Sequence, residues 1–153
     1  MSSHYATAAW SLDGGDFLKR QYSRVHTITF EGGGQIEGSP SPHVVPAPYS
    51  RTDAMDPEAA FTAALSACHM LWFLDFAARG GFIVASYRDA AEGTLGRNAV
   101  GKMAMTRVVL RPVVAFTGEN HPTSADIADL HHKAHEACFI ANSVTSEVVV
   151  EPG

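Results

Sequence analysis

Side chains from Ser23 to Phe30 alternate, with Val25, Thr27 and Thr29 on one face and His26, Ile28 and Phe30 on the other. A period of two rich in β-branched residues predicts a strand. Tyr5 to Leu12 reads as a shorter strand before it, followed by the turn Leu12-Asp13-Gly14-Gly15-Asp16. Gln35 to Ser39 reads as the return strand after the turn Gly32-Gly33-Gly34. From Ser39 to Asp53 the pattern stops, and Pro40, Pro42, Pro46 and Pro48 predict an extended surface loop.

A long apolar segment follows. Asp56 is placed to cap a helix, Pro57 suits its first position, and Glu58 suits the positive end of its dipole. This central helix is expected to run to about Arg79 and to stop at Gly80-Gly81. Phe82 to Leu95 reads as one strand with an irregular middle, and Gly101 to Phe116 as another in which Pro112 marks an edge or bulge. Thr123, with Asp126 three residues on, predicts a capping box for a second helix through Ile127, Leu130, His131, Ala134 and Ala137. Cys138 falls near the end of that helix or at the start of a further short one, and Ser146 to Glu151 reads as a closing strand. Strands, long helix, strands, helix, strand is an α+β order, and 153 residues suit a single domain over 1–153.

Hydrophobic residues make up 46% of the chain, enough for a real core. The net charge of −5, with no basic run, argues against a nucleic-acid partner. Met1 to Trp10 has neither a basic n-region nor an apolar h-region, so no signal peptide and a cytoplasmic location are expected. Ala59 to Ala78 is long enough to span a bilayer. His69, Asp75, Thr62 and Ser66 interrupt it, however, and a helix buried in a core, with no membrane partner, is the expectation.

The chain has two cysteines, Cys68 and Cys138, too few for an all-cysteine zinc site. The ordinary role of a cysteine is that of a small buried hydrophobe. Cys68 lies mid-helix, where the dipole gives little and apolar surroundings raise a thiol pKa, so a reactive thiol there needs a cation from elsewhere. Arg20 and Arg24, near the start of a strand, are the candidates, with Arg51 a further one. His131 and His135 share a helix face beside His132, a spacing that suits a metal but lacks the glutamate of a zinc-protease motif. A site of Cys68, Cys138 and His135, a non-catalytic binding module and a Cys/His hydrolase are the rival classes. His69 points about 100° from Cys68 on the helix and is a poor base for it.

Two segments carry a resemblance. Asp56-Pro57-Glu58-Ala59-Ala60-Phe61 with Ala67-Cys68-His69, and His135-Glu136-Ala137-Cys138-Phe139-Ile140-Ala141-Asn142-Ser143, resemble the two cysteine regions of the osmotically inducible protein C and organic hydroperoxide resistance (OsmC/Ohr) family, on its OsmC-like branch. Tyr22-Ser23-Arg24 is similar to the place where that family carries its active-site arginine. The resemblance implies antiparallel sheets around a long central helix in an intertwined homodimer. It also implies a cysteine peroxidase that needs no cofactor or metal and reduces organic hydroperoxides. Cys68 would be peroxidatic and Cys138 resolving, with Arg24 holding the thiolate and Glu58 fixing Arg24. An external dithiol, in this family a lipoyl-type or other small dithiol system, would restore the thiols.

Glu58 and Cys68 are ten residues apart on one helix, about 15 Å along its axis. Glu58 therefore suits a partner's Cys68 better than its own, if two central helices cross antiparallel near residue 63. Ala59, Ala60, Ala63, Ala64 and Ala67 would let them approach closely. Met70, Leu71, Trp72, Phe73, Phe139 and Ile140 could supply an apolar pocket for alkyl or lipid hydroperoxides.

Overall fold

A computed structural model describes residues 1–153 and divides them into two compact units, Met1–Ala60 and Phe61–Gly153. In the first, β1 (Ala6–Ala9), β2 (His26–Phe30) and β3 (Gln35–Gly38) form an antiparallel sheet in the order β1-β2-β3. Gly38 pairs with His26, and a Cβ there would collide with the His26 ring, so the close approach requires glycine. The proline-rich segment after β3 carries turns but no strand.

Helix α1 (Pro57–Arg79) has the bounds its cap residues predict. The Asp56 carboxylate accepts the Ala59 N–H at 2.7 Å. At the far end Gly81 adopts φ +77°, the Gly81 N–H donates to Ala78 O, and the Phe82 N–H donates to Ala77 O. That is a Schellman ending, which needs a left-handed residue and finds glycine there.

In the second unit the strands depart from the sequence reading. Phe82 to Leu95 is not one irregular strand but two, β4 (Ile83–Asp89) and β5 (Glu92–Arg97). Gly101 to Phe116 likewise divides into β6 (Met103–Leu110) and β7 (Pro112–Thr117). The members of each pair lie in different sheets: β4 pairs with β7, while β5, β6 and β8 (Glu147–Val150) form the other sheet in that order. Asp89 ties the two breaks together: its carboxylate accepts the Arg111 N–H at 2.6 Å and the Ser66 hydroxyl of α1. The expectation of wholly antiparallel sheets is also corrected, because β8 runs parallel to β6. A parallel neighbour needs a long crossover, and α2 (Ser124–Ala137) with a short 3₁₀ turn (Ala141–Ser143) supplies it.

Helix α2 begins at the predicted capping box. The Asp126 N–H donates to Thr123 Oγ1 at 3.2 Å, and the Thr123 N–H donates to Asp126 Oδ2 at 2.8 Å. Two apolar clusters make the core of this unit. Phe73 and Ala77 of α1 meet Leu130 and Ala134 of α2, while Leu65 of α1 meets Val108 and Leu110 of β6. A Cβ on Gly93 of β5 would strike the Thr62 side chain, so α1 lies hard against that sheet.

Candidate active site

The two packed helices bring the cysteines together. Cys68 lies half-buried on α1, and Cys138 is buried as the C-cap of α2; both are free thiols. Burial, joined by a side-chain hydrogen bond with Cys68, pushes the Cys138 thiol up to about 11. The Ala141 N–H, turned back toward the sulfur at 3.4 Å, works weakly in the opposite direction. Cys138 is therefore protonated at neutral pH and shielded, while Cys68 is the thiol that a solute reaches.

An aromatic wall flanks the pair. Trp72, one turn beyond Cys68, meets Phe139 edge-on at 5.4 Å between ring centroids, and Phe139 is 69% exposed. Leu71 is also exposed. Phe73 and Ile140, expected as pocket residues, are instead committed to the two core clusters.

Beside the thiols stands a contact that the sequence did not announce. His69 Nε2 and His131 Nδ1 are 3.0 Å apart, with ring planes 8° apart. The residues are only 1% and 4% exposed. Burial holds both histidines down at about 4; neighbouring His131 and His135 add to this for His69, and Asp89 partly offsets it for His131. A cavity of about 430 Å³ opens beyond them, lined by His131, His132 and His135 of α2 and by Val148 to Val150 of β8. Cys, His, Asp and Glu side chains form no group of three placed to hold a metal ion, Cys68, Cys138 and His135 included.

The three candidate arginines, Arg20, Arg24 and Arg51, belong to the first unit. Arg51 is clamped, donating to both oxygens of Asp53 at 2.8 and 2.7 Å and to Glu37 at 3.1 Å. These contacts raise its pKa further and lower that of Asp53. Arg24 is held differently: its guanidinium donates to the carbonyls of Tyr22 and Arg20 at 2.9 and 3.2 Å and lies 4.1 Å over the Tyr22 ring. Those partners carry no charge, so the cation is oriented without being neutralised by them. Arg20 itself has φ +63°, a strained value for a residue with a side chain, and this turns its carbonyl to Arg24. Glu58 lies in the first turn of α1.

The profile of the OsmC-like protein family matches residues 50–152, which include both cysteines. The chain belongs to this family. An OsmC-like protein of unknown function from Vibrio cholerae is 52% identical, with a TM-score of 0.98 and complete coverage of both chains. Two organic hydroperoxide resistance proteins share the fold of this OsmC-like chain at lower identity. The one from Elizabethkingia anophelis is 19% identical with a TM-score of 0.70, covering 99% of this chain and 94% of that one. OhrB of Bacillus subtilis is 18% identical with a TM-score of 0.70, covering 99% and 98%. A search of curated proteins finds no match.

Proposed function

We propose that the chain is a thiol-dependent peroxidase that reduces organic hydroperoxides in the cytoplasm. The observation that carries this reading is the contact between an accessible Cys68 and a buried, protonated Cys138. The Cys68 thiolate attacks the distal oxygen of ROOH; the O–O bond breaks, Cys68 becomes a sulfenic acid, and RO⁻ takes a proton to leave as ROH. Cys138 sulfur then attacks Cys68 sulfur. The S–OH bond breaks, and the hydroxyl leaves as water with the Cys138 proton, so this step needs no separate base. An external dithiol reduces the disulfide and is itself oxidised to one. Arg24 is the proposed cation for the thiolate, with Glu58 orienting its guanidinium, and the Trp72–Phe139 wall favours an apolar R group.

Intact mass after one equivalent of cumene hydroperoxide tests the scheme. The wild-type protein is expected to lose two hydrogens as the Cys68–Cys138 bond forms. Cys138→Ser should instead gain one oxygen and be trapped by a sulfenic-acid reagent. Unchanged mass in both proteins would end the proposal.

The reading includes a symmetric dimer. Helix α1 is long and apolar enough to cross a membrane, yet only Thr62, Leu65, His69, Phe73 and Ala77 along it are buried. Ala59, Ala63, Ala67 and Leu71, four residues apart, form an exposed stripe suited to the same stripe on a second copy. Such a crossing would bring the Glu58 of one chain toward the Cys68 of the other. Sedimentation should give a dimer, and a fully active monomer would refute the shared site.

A further inference from the structure

The His69–His131 contact takes no part in the scheme above, and its position gives it a use. His69 directly follows Cys68 on α1. His131 and Cys138 are seven residues apart on α2, two turns along nearly the same face and about 10 Å apart. The histidine bond therefore joins the two helices close to where they present the thiols.

Its proton can be assigned from the rest of the network. His69 Nδ1 is buried without a partner. A stranded acceptor is tolerated more readily than a stranded N–H, so His69 carries its proton on Nε2 and donates it to His131 Nδ1. His131 then holds its own proton on Nε2. This tautomer speaks against His131 as a metal ligand at that nitrogen, since the lone pair there is occupied.

Apolar packing surrounds the pair: the Phe73 ring lies 4.4 Å from the His131 ring, and Leu130, Ala134 and Ala77 complete the cluster. Such contacts tolerate small slides of one helix along another. A 3.0 Å hydrogen bond between two buried rings does not, because a slide leaves both groups unpaired. Beyond α2, Ala141 and Asn142 donate to the Cys138 sulfur and carbonyl, and Phe139 and Ile140 pack back toward α1.

We propose that His69 and His131 are positioning residues for the Cys68–Cys138 disulfide, fixing the register of α2 on α1 so that the two sulfurs stay in contact. The inference rests on the reading of these thiols as a redox pair, and its test does not use peroxide. Purified full-length protein is equilibrated in buffers of reduced and oxidised glutathione. Oxidised glutathione takes two electrons from the thiols, yielding the protein disulfide and two reduced glutathiones, and quenched mass analysis gives the equilibrium constant.

His131→Leu is expected to lower that constant several-fold and by up to about tenfold, because the histidine bond can bias the disulfide by no more than its own net worth. His131→Asn places an amide oxygen near the position of Nδ1, can accept from His69, and is expected to recover most of the loss. The double variant His69→Leu/His131→Phe leaves no unpaired polar group; it serves if His131→Leu does not fold and should show the same deficit. A wild-type constant in the folded Leu or double variant would overturn the proposal, as would an Asn variant no better than Leu. Failure of the wild-type protein to form the disulfide in any buffer would instead defeat the redox-pair reading.

Discussion

Cys68→Ser should abolish hydroperoxide turnover, with a loss of at least about a thousand-fold. A neutral serine hydroxyl is a hard, weak nucleophile and cannot take oxygen from a peroxide to form a sulfenic acid. The neighbouring thiol cannot take over, because Cys138 is 1% exposed and burial holds it protonated near 11. The substitution is nearly isosteric at a half-buried position, so stability should change by no more than about 1 kcal/mol. Loss of activity would then be chemical rather than structural. The check is consumption of cumene hydroperoxide with a dithiol, alongside a thermal melt. A variant retaining more than a tenth of the activity would move the chemistry away from this sulfur.

The same asymmetry suits the two identical side chains to the different parts proposed for them. The first oxidation needs access to solute and some thiolate; the second needs contact with Cys68, so that the Cys138 proton can pass to the departing hydroxyl as the sulfur attacks. A buried C-cap cysteine meets the second requirement and fails the first. In the proposed scheme, oxidation at Cys68 followed by capture at Cys138 is the order that suits these positions.

What the sequence disclosed depended on whether the signal was local. Helix α1 could be bounded from Asp56-Pro57 and Gly80-Gly81 because capping chemistry acts within a turn. The Thr123–Asp126 box was legible for the same reason. The breaks at Ala90 and Arg111 showed only as an irregular middle and as Pro112, since neither carries a glycine or asparagine turn. A carboxylate at Asp89, receiving groups from α1 and from residue 111, divides each run into two strands. The parallel placement of β8 beside β6 is equally non-local. Among the site residues, the motifs around Cys68 and Cys138 were readable. The His69–His131 bond joins residues 62 apart and left no trace except a hint: His131 and Cys138 recur at a spacing that places them on one helical face. Arg51 and Arg24 differ in a way the sequence does not show: Arg51 grips the Asp53 carboxylate with two hydrogen bonds, whereas Arg24 donates to backbone carbonyls.

Acid should destabilise the fold earlier than its carboxylates would dictate. His69 and His131 are held at about 4 in the folded chain, against 6.5 for a free imidazole. Above 6.5 both states are neutral and nothing is lost. As the pH falls from 6.5 toward 4, the unfolded chain takes up protons that the folded chain refuses, so stability declines through that window and levels below it. Each histidine costs up to about 3 kcal/mol over the window, a large share of a typical domain's stability. The titratable groups acting on the pair are His135 on α2 and Asp89 on β4; of these, Asp89 favours protonation of His131 and softens the loss. Asp53 and Asp126 have pKa values below the usual 3.8, so their contribution falls in a lower pH range. Urea unfolding at pH 7 and pH 4.5 should therefore show a steep loss in the wild-type protein. His69→Leu/His131→Phe should lose at least about half of that pH dependence, because it removes both proton acceptors while filling the same space. An equal loss in the two proteins would place the acid sensitivity elsewhere.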